Sequence, residues 1–206
     1  MQPVLVTISG VVGAGKSTAE GRIRMALQSD GIRPESWRFR TLPCFSLPFS
    51  RPQPASKAAQ PDQSTRGRGY RRKTLTLAAT IGYLWRMAAF RVYRRRQTSS
   101  PCVICNRYFY DNLAHFELNT PRARRYISLL CRWMPKPDLA ILLVASPTTI
   151  AERRPQYTAE YLDNVGRAYR DIAAMFPELV VLNTDHGQGA LESLEQLVRG
   201  LIAKRR

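Results

Sequence analysis

Five short runs along the 206-residue chain read as strands; 3–9, 101–105, 139–145 and 179–183 are apolar at nearly every position, and 37–42 carries Trp37, Phe39 and Leu42 among polar residues. A strand with one wet face alternates apolar and polar residues, so runs without alternation predict strands buried on both faces. Between them, apolar residues recur at helical spacing over 16–28, 74–95, 121–133, 147–154, 158–175 and 190–203. Strands and helices taking turns predict one α/β domain over 1–206. Its architecture is a three-layer sandwich, a five-stranded parallel sheet with helices on both faces. The stretch 43–73 breaks the pattern, mixing proline, serine, glycine and basic residues without either period. It reads as a basic, proline-rich flexible insertion after the second strand.

Composition changes this picture mainly through charge. Apolar residues make up 44% of the chain, which supports a core and excludes a wholly disordered protein. The net charge of +17 predicts attraction to polyanions such as nucleotides, nucleic acid or an anionic membrane surface. No acidic residue lies between Asp62 and Asp111, while arginines and lysines crowd 66–96. A nucleic-acid or membrane contact is therefore expected through that segment. Cys102 and Cys105 form a C-x-x-C, but on a strand positions i and i+3 point to opposite faces, so they read as buried small residues. The apolar start has no basic leader and runs straight into a glycine loop. No apolar stretch is long enough to span a bilayer. A cytoplasmic, reduced protein is the expectation.

The candidate chemistry starts at that loop, GVVGAGKST, residues 10–18. It satisfies G-x-x-x-x-G-K-[ST], with an apolar strand before it and an amphipathic helix after it. Gly10, Gly13, Ala14, Gly15 and Thr18 shape a nest of backbone N–H groups for phosphates, at the positive end of a helix dipole. Lys16 is expected to reach the β- and γ-phosphates, and the Ser17 hydroxyl to ligate Mg2+. ATP with Mg2+ is the expected ligand pair. A guanine-specifying N-K-x-D is absent, and no aspartate ends an apolar strand.

The order of glycine loop, basic helix, strand ending in Asn-Arg-Tyr and arginine-bearing segment resembles the thymidylate kinase branch of the nucleoside and nucleotide kinases. The resemblance covers the chain apart from 43–73. It is carried by GVVGAGKST, by CNRYFYDNLAH (105–115), by PDL (137–139) with SPTTIAERR (146–154), and by VGRAYRDIA (165–173). It implies transfer of the γ-phosphate of ATP to a bound nucleoside monophosphate or other small anionic acceptor, and a homodimer. By position, Arg107 would contact phosphate where donor and acceptor meet, and Arg86 would grip the acceptor phosphate. Arg153 and Arg154 would be lid arginines closing over ATP. Tyr108 falls among the acceptor contacts. Arg38 and Arg40 stand where the family's R-E-P-G-G-T stretch is missing.

The chain departs from the family at three carboxylates, having Val12 in the glycine loop, Asn106 before the arginine and Val144 late in the fourth strand. An amide at 106 can hold an acceptor oxygen or a magnesium-bound water, but it cannot act as a base. Asp111 is then the nearest carboxylate, either a base for a hydroxyl acceptor or a helix N-cap. A phosphate acceptor arrives already anionic and needs no base. On this reading Asn106→Asp keeps or raises the transfer rate. Two alternatives stay open: a nucleotide-binding protein that no longer transfers phosphate, and a P-loop protein that binds polyanions or nucleic-acid ends.

Overall fold

The computed structural model describes residues 3–39, 42, 76–96, 100–118, 120–185 and 187–205. The insertion expected over 43–73 and the candidate residue Arg40 lie outside them. Among the described residues the chain runs β1 (Val4–Gly10), α1 (Lys16–Ser29), β2 (Glu35–Arg38), α2 (Leu77–Arg96), β3 (Cys102–Asn106) and α3 (Phe109–Leu113). It continues with α4 (Pro121–Cys131), β4 (Leu139–Val144), α5 (Pro147–Arg153), α6 (Ala159–Met175), β5 (Leu179–Asn183) and α7 (Gln188–Ala203).

The strands form one sheet in the order β2-β3-β1-β4-β5, and every pairing is parallel. All seven residues of β1 are buried, and β3 and β4 are buried along most of their length. The edge strands β2 and β5 alternate instead between more and less exposed positions, as strands with one wetter face do. On β2 only Trp37 is buried, packing edge-on against Phe90 and Tyr93 of α2. The three central strands thus match their unbroken apolar runs. The second strand ends at Arg38, short of the expected 42, although Phe39 and Leu42 are buried in the core.

The helices carry the local signals that sequence physics demands. Thr120, Ser146 and Thr158 cap α4, α5 and α6, each side chain accepting a backbone N–H three residues on. Pro121 and Pro147 occupy first-turn positions where no N–H is needed. On α2 the buried residues Thr80, Tyr83, Met87 and Phe90 form one stripe at helical spacing. The helix offered with Asp111 as its N-cap starts earlier: the short α3 begins at Phe109 and holds Asp111 within it.

At the amino end of the sheet, Asp138 locks three elements together. Its Oδ2 accepts from Leu5 N at 2.7 Å and from an Arg94 guanidinium nitrogen at 3.1 Å, and Oδ1 accepts from Arg205. Arg94 also donates to Pro3 O at 3.0 Å. One arginine of the basic run is thereby a structural brace, remote from the glycine loop at the sheet's other end. Cys102, Cys105 and Cys131 are all buried and free of disulfides.

Candidate functional site

Chain connections leave β1 and β4 toward opposite edges of the sheet. The carboxyl end of β1 is therefore a switch point, where α/β proteins present a crevice to ligands. The glycine loop sits there. At Gly10 the φ is 140°, and a Cβ would fall 2.2 Å from Leu143 O, so only glycine lets β1 end this close to the β4 backbone. At Gly13 the φ is 87°, and a Cβ would fall 2.9 Å from Ile150 Cγ2 of α5. Gly15 then caps α1 in the left-handed region, and Lys16 is the first helical residue. Lys16 is 8% exposed, and its ammonium donates to Gly10 O at 2.8 Å and Val11 O at 2.6 Å. Ser17 and Thr18 stand exposed on the first turn.

The loop is braced from the β4–β5 side. Thr184 Oγ1 lies 3.3 Å from Ala14 O and 3.2 Å from Val144 O. Arg153, at the end of α5, donates to Gly13 O and Thr184 O, each at 3.3 Å. Arg154 follows as the exposed C-cap, its Cγ 3.4 Å from where a Gly13 Cβ would stand. Of the two arginines read as lid residues, Arg153 is already bound to the loop and Arg154 faces solvent.

On the β3 side the geometry is tighter. Arg107 has φ 68°, the one non-glycine residue with positive φ among those described. A branchless glycine is the ordinary occupant of that region, and an arginine there costs about 1–2 kcal/mol. The turn is held by Arg107 N donating to Ile8 O at 2.9 Å. It is held also by the Arg107 guanidinium, 3.8 Å from Asp111 Oδ1. Asp111 is only 2% exposed, and both its oxygens accept. Oδ1 takes the Tyr169 hydroxyl at 2.7 Å and Gly10 N at 3.4 Å, and Oδ2 takes Tyr108 N at 2.9 Å. Asp111 lies inside α3 rather than at its N-cap, and its carboxylate ties β1, the Arg107 turn and α6 into one unit.

Tyr108 corrects an expectation. Its ring is fully buried against Phe39, Phe90, Phe109 and Tyr110, and its hydroxyl donates to Pro135 O. Burial pushes the phenol well above its ordinary range. The ring is a core group and offers no face to an acceptor. Arg86 is on the exposed side of α2, one turn on from Tyr83, whose hydroxyl donates to Phe109 O at 3.2 Å in the same loop region.

Asn106 closes β3, in register with Ile8 of β1 and Arg38 of β2. Its Nδ2 donates to Glu20 Oε2 at 2.7 Å. Glu20 and Tyr169 are the two site residues that sequence reasoning missed. Each meets its partner across the fold, 86 and 58 positions apart in the chain. Among the described residues, no group of three or more His, Cys, Asp or Glu side chains is arranged to hold a metal. No helix among them is long and apolar enough to cross a membrane.

No protein-family model matches the sequence, and no curated protein does. Solved structures do match. A thymidylate kinase from Candida albicans, described as having broad substrate specificity and a novel structural element, aligns over 99% of this chain and 93% of its own. The TM-score is 0.55 at 18% sequence identity. With its parallel 2-3-1-4-5 sheet and glycine loop after β1, the chain has a thymidylate kinase-like P-loop fold, as a distant variant.

Proposed function

We propose that the protein is an ATP-dependent kinase of the thymidylate kinase-like type, moving the γ-phosphate of ATP onto a nucleoside monophosphate or another small anionic acceptor. The observation that carries the reading is the glycine loop itself. It is closed against β4 and α5 at Gly10 and Gly13, where a side chain would clash, with Lys16 drawn to its mouth. Backbone N–H groups of the loop and the start of α1 would hold the ATP phosphates. On binding, the Lys16 ammonium would exchange its loop carbonyls for β- and γ-phosphate oxygens.

The donors near the loop suit Mg2+: the Ser17 hydroxyl offers a hard oxygen, and phosphates and water complete such a shell without a protein cage. When bound, Mg2+ neutralises charge on the transferring phosphate. Arg107 would reach that phosphate from its strained turn at the end of β3. Strain held in place by this many partners is a mark of a functional site. Arg153 and Arg154 would close over the donor, while Arg86, Arg38 and Arg40 would hold the acceptor.

The tie on Asp111 bears on acceptor class. Both its oxygens accept internal hydrogen bonds, so it is spoken for as a positioning group and poorly placed to take a hydroxyl proton. An acceptor phosphate needs no such base. Its anionic oxygen bonds to the γ-phosphorus as the bridging bond to the β-phosphate breaks, and the electron pair leaves on ADP. A panel of nucleosides, monophosphates and phosphorylated metabolites with labelled ATP tests this, using Lys16→Ala as control. Label is expected on a phosphorylated acceptor. ATP binding that depends on Lys16, with label on no acceptor, would favour the non-transferring alternative.

A further inference from the structure

We infer that Glu20, held by Asn106, is the carboxylate that serves the nucleotide-bound Mg2+, a role that P-loop NTPases give to an aspartate at the end of an apolar strand. The inference rests on the phosphotransferase reading above. At the strand end this chain has an amide, which carries no charge. The amide nevertheless holds a carboxylate at 2.7 Å. That carboxylate arrives from α1, one turn past Lys16 and three residues past Ser17. Residues three apart on a helix have Cβ atoms about 5–6 Å apart. Helical side chains also lean toward the N-terminus, here toward the glycine loop.

The other nearby acid is committed elsewhere, since Asp111 is 2% exposed and braces the loop. Glu20 is half-buried, and the bond from Asn106 fixes one of its oxygens. The Ser17 hydroxyl, the Glu20 carboxylate and the Asn106 amide oxygen would supply oxygen ligands of the kind Mg2+ uses, with one carboxylate and retained waters. The amide at 106 also follows from this arrangement. An aspartate there would offer a second acceptor where the amide Nδ2 instead donates to the Glu20 carboxylate.

Calorimetric binding of a non-hydrolysable ATP analogue, in excess Mg2+ and in EDTA, reads this without turnover. Mg2+ should tighten binding to the native protein. Glu20→Gln should lose about tenfold or more of that tightening, read as the ratio of its affinities in Mg2+ and in EDTA. The swapped pair Glu20→Gln with Asn106→Asp should restore the Mg2+ effect, and it carries the test if the single variant does not fold. Full Mg2+ tightening in Glu20→Gln would overturn the assignment alone. Failure of the native protein to bind the analogue at all would overturn the proposed function and the assignment with it.

Discussion

Arg107 shows how a single side chain can be held against its own backbone preference. Its φ of 68° is supported by the Ile8 carbonyl, by Asp111 and by the packed aromatic loop that follows. Arg107→Gly should relieve the strain, raising unfolding stability by about 1 kcal/mol in urea titration, yet phosphoryl transfer should fall at least tenfold. A destabilised variant would mean that the guanidinium contacts outweigh the backbone. Asn106 offers the second residue-scale test, here of stability through its bond to Glu20. Beside Glu20, Asn106→Asp creates a like-charge pair whose folded-state pKa lies above its unfolded value. Its penalty is absent at low pH, where a carboxyl is protonated. It grows as pH rises through the ordinary carboxylate range toward the raised folded value. The variant should therefore match the native protein at acidic pH and lose about 1 kcal/mol at neutral pH, a loss that added Glu20→Gln removes. Equal loss at both pH values would count against the pair.

At the scale of elements, the central strands, the capped helices and the glycine loop were legible because their signals are local. Unbroken apolar runs, Ser or Thr caps and G-x-x-x-x-G-K-S each fit within a few consecutive positions. What stayed hidden was tertiary. Glu20 reads as the wet flank of an amphipathic helix until β3 is laid beside it, and Tyr169 reads as one more core aromatic of α6. The left-handed turn at 107 was invisible because an arginine gives no hint of positive φ. The helix at 109–113 reads in the sequence as starting a few residues late, with Asp111 as its cap, because the aromatic residues before it give no start signal. Tyr169→Phe removes one hydrogen bond to a buried carboxylate and should cost about 1–3 kcal/mol by thermal or urea unfolding. The β4–α5 turn has its own pH signature. The Asp185 carboxyl is held below its usual range, chiefly by accepting the Ser146 backbone N–H, with help from Thr149 and Asn183. A depressed folded pKa gives stability that is present above the unfolded value and lost as pH falls through the folded one. Asp185→Asn should therefore flatten the acid limb of the stability profile and leave its alkaline limb alone.

Across the described residues, the groups proposed for chemistry gather at the carboxyl edge of the sheet. Burial pushes the Cys102 and Cys131 thiols up to about 12, and Cys105 is equally enclosed. At neutral pH these thiols should react with a thiol-specific reagent only as fast as the protein unfolds; rapid labelling of any of the three would contradict the packing. The large positive charge is divided in function as well. Arg94 and Arg205 serve the Asp138 brace, and Arg22 and Arg199 pin α1 to α7 through Glu195 and Asp30. Arg107, Arg153 and Arg154 at the loop edge are proposed for the transferring and donor phosphates, and Arg86, Arg38 and Arg40 for the acceptor. The measurement closest to that central claim is transfer of label from γ-labelled ATP to monophosphates, compared with the matching nucleosides. Label should appear on a monophosphate, fall by about a hundredfold or more in Lys16→Ala, and stay near background on nucleosides. Transfer to a nucleoside hydroxyl in preference would contradict the acceptor class, and unchanged transfer in Lys16→Ala would contradict the site.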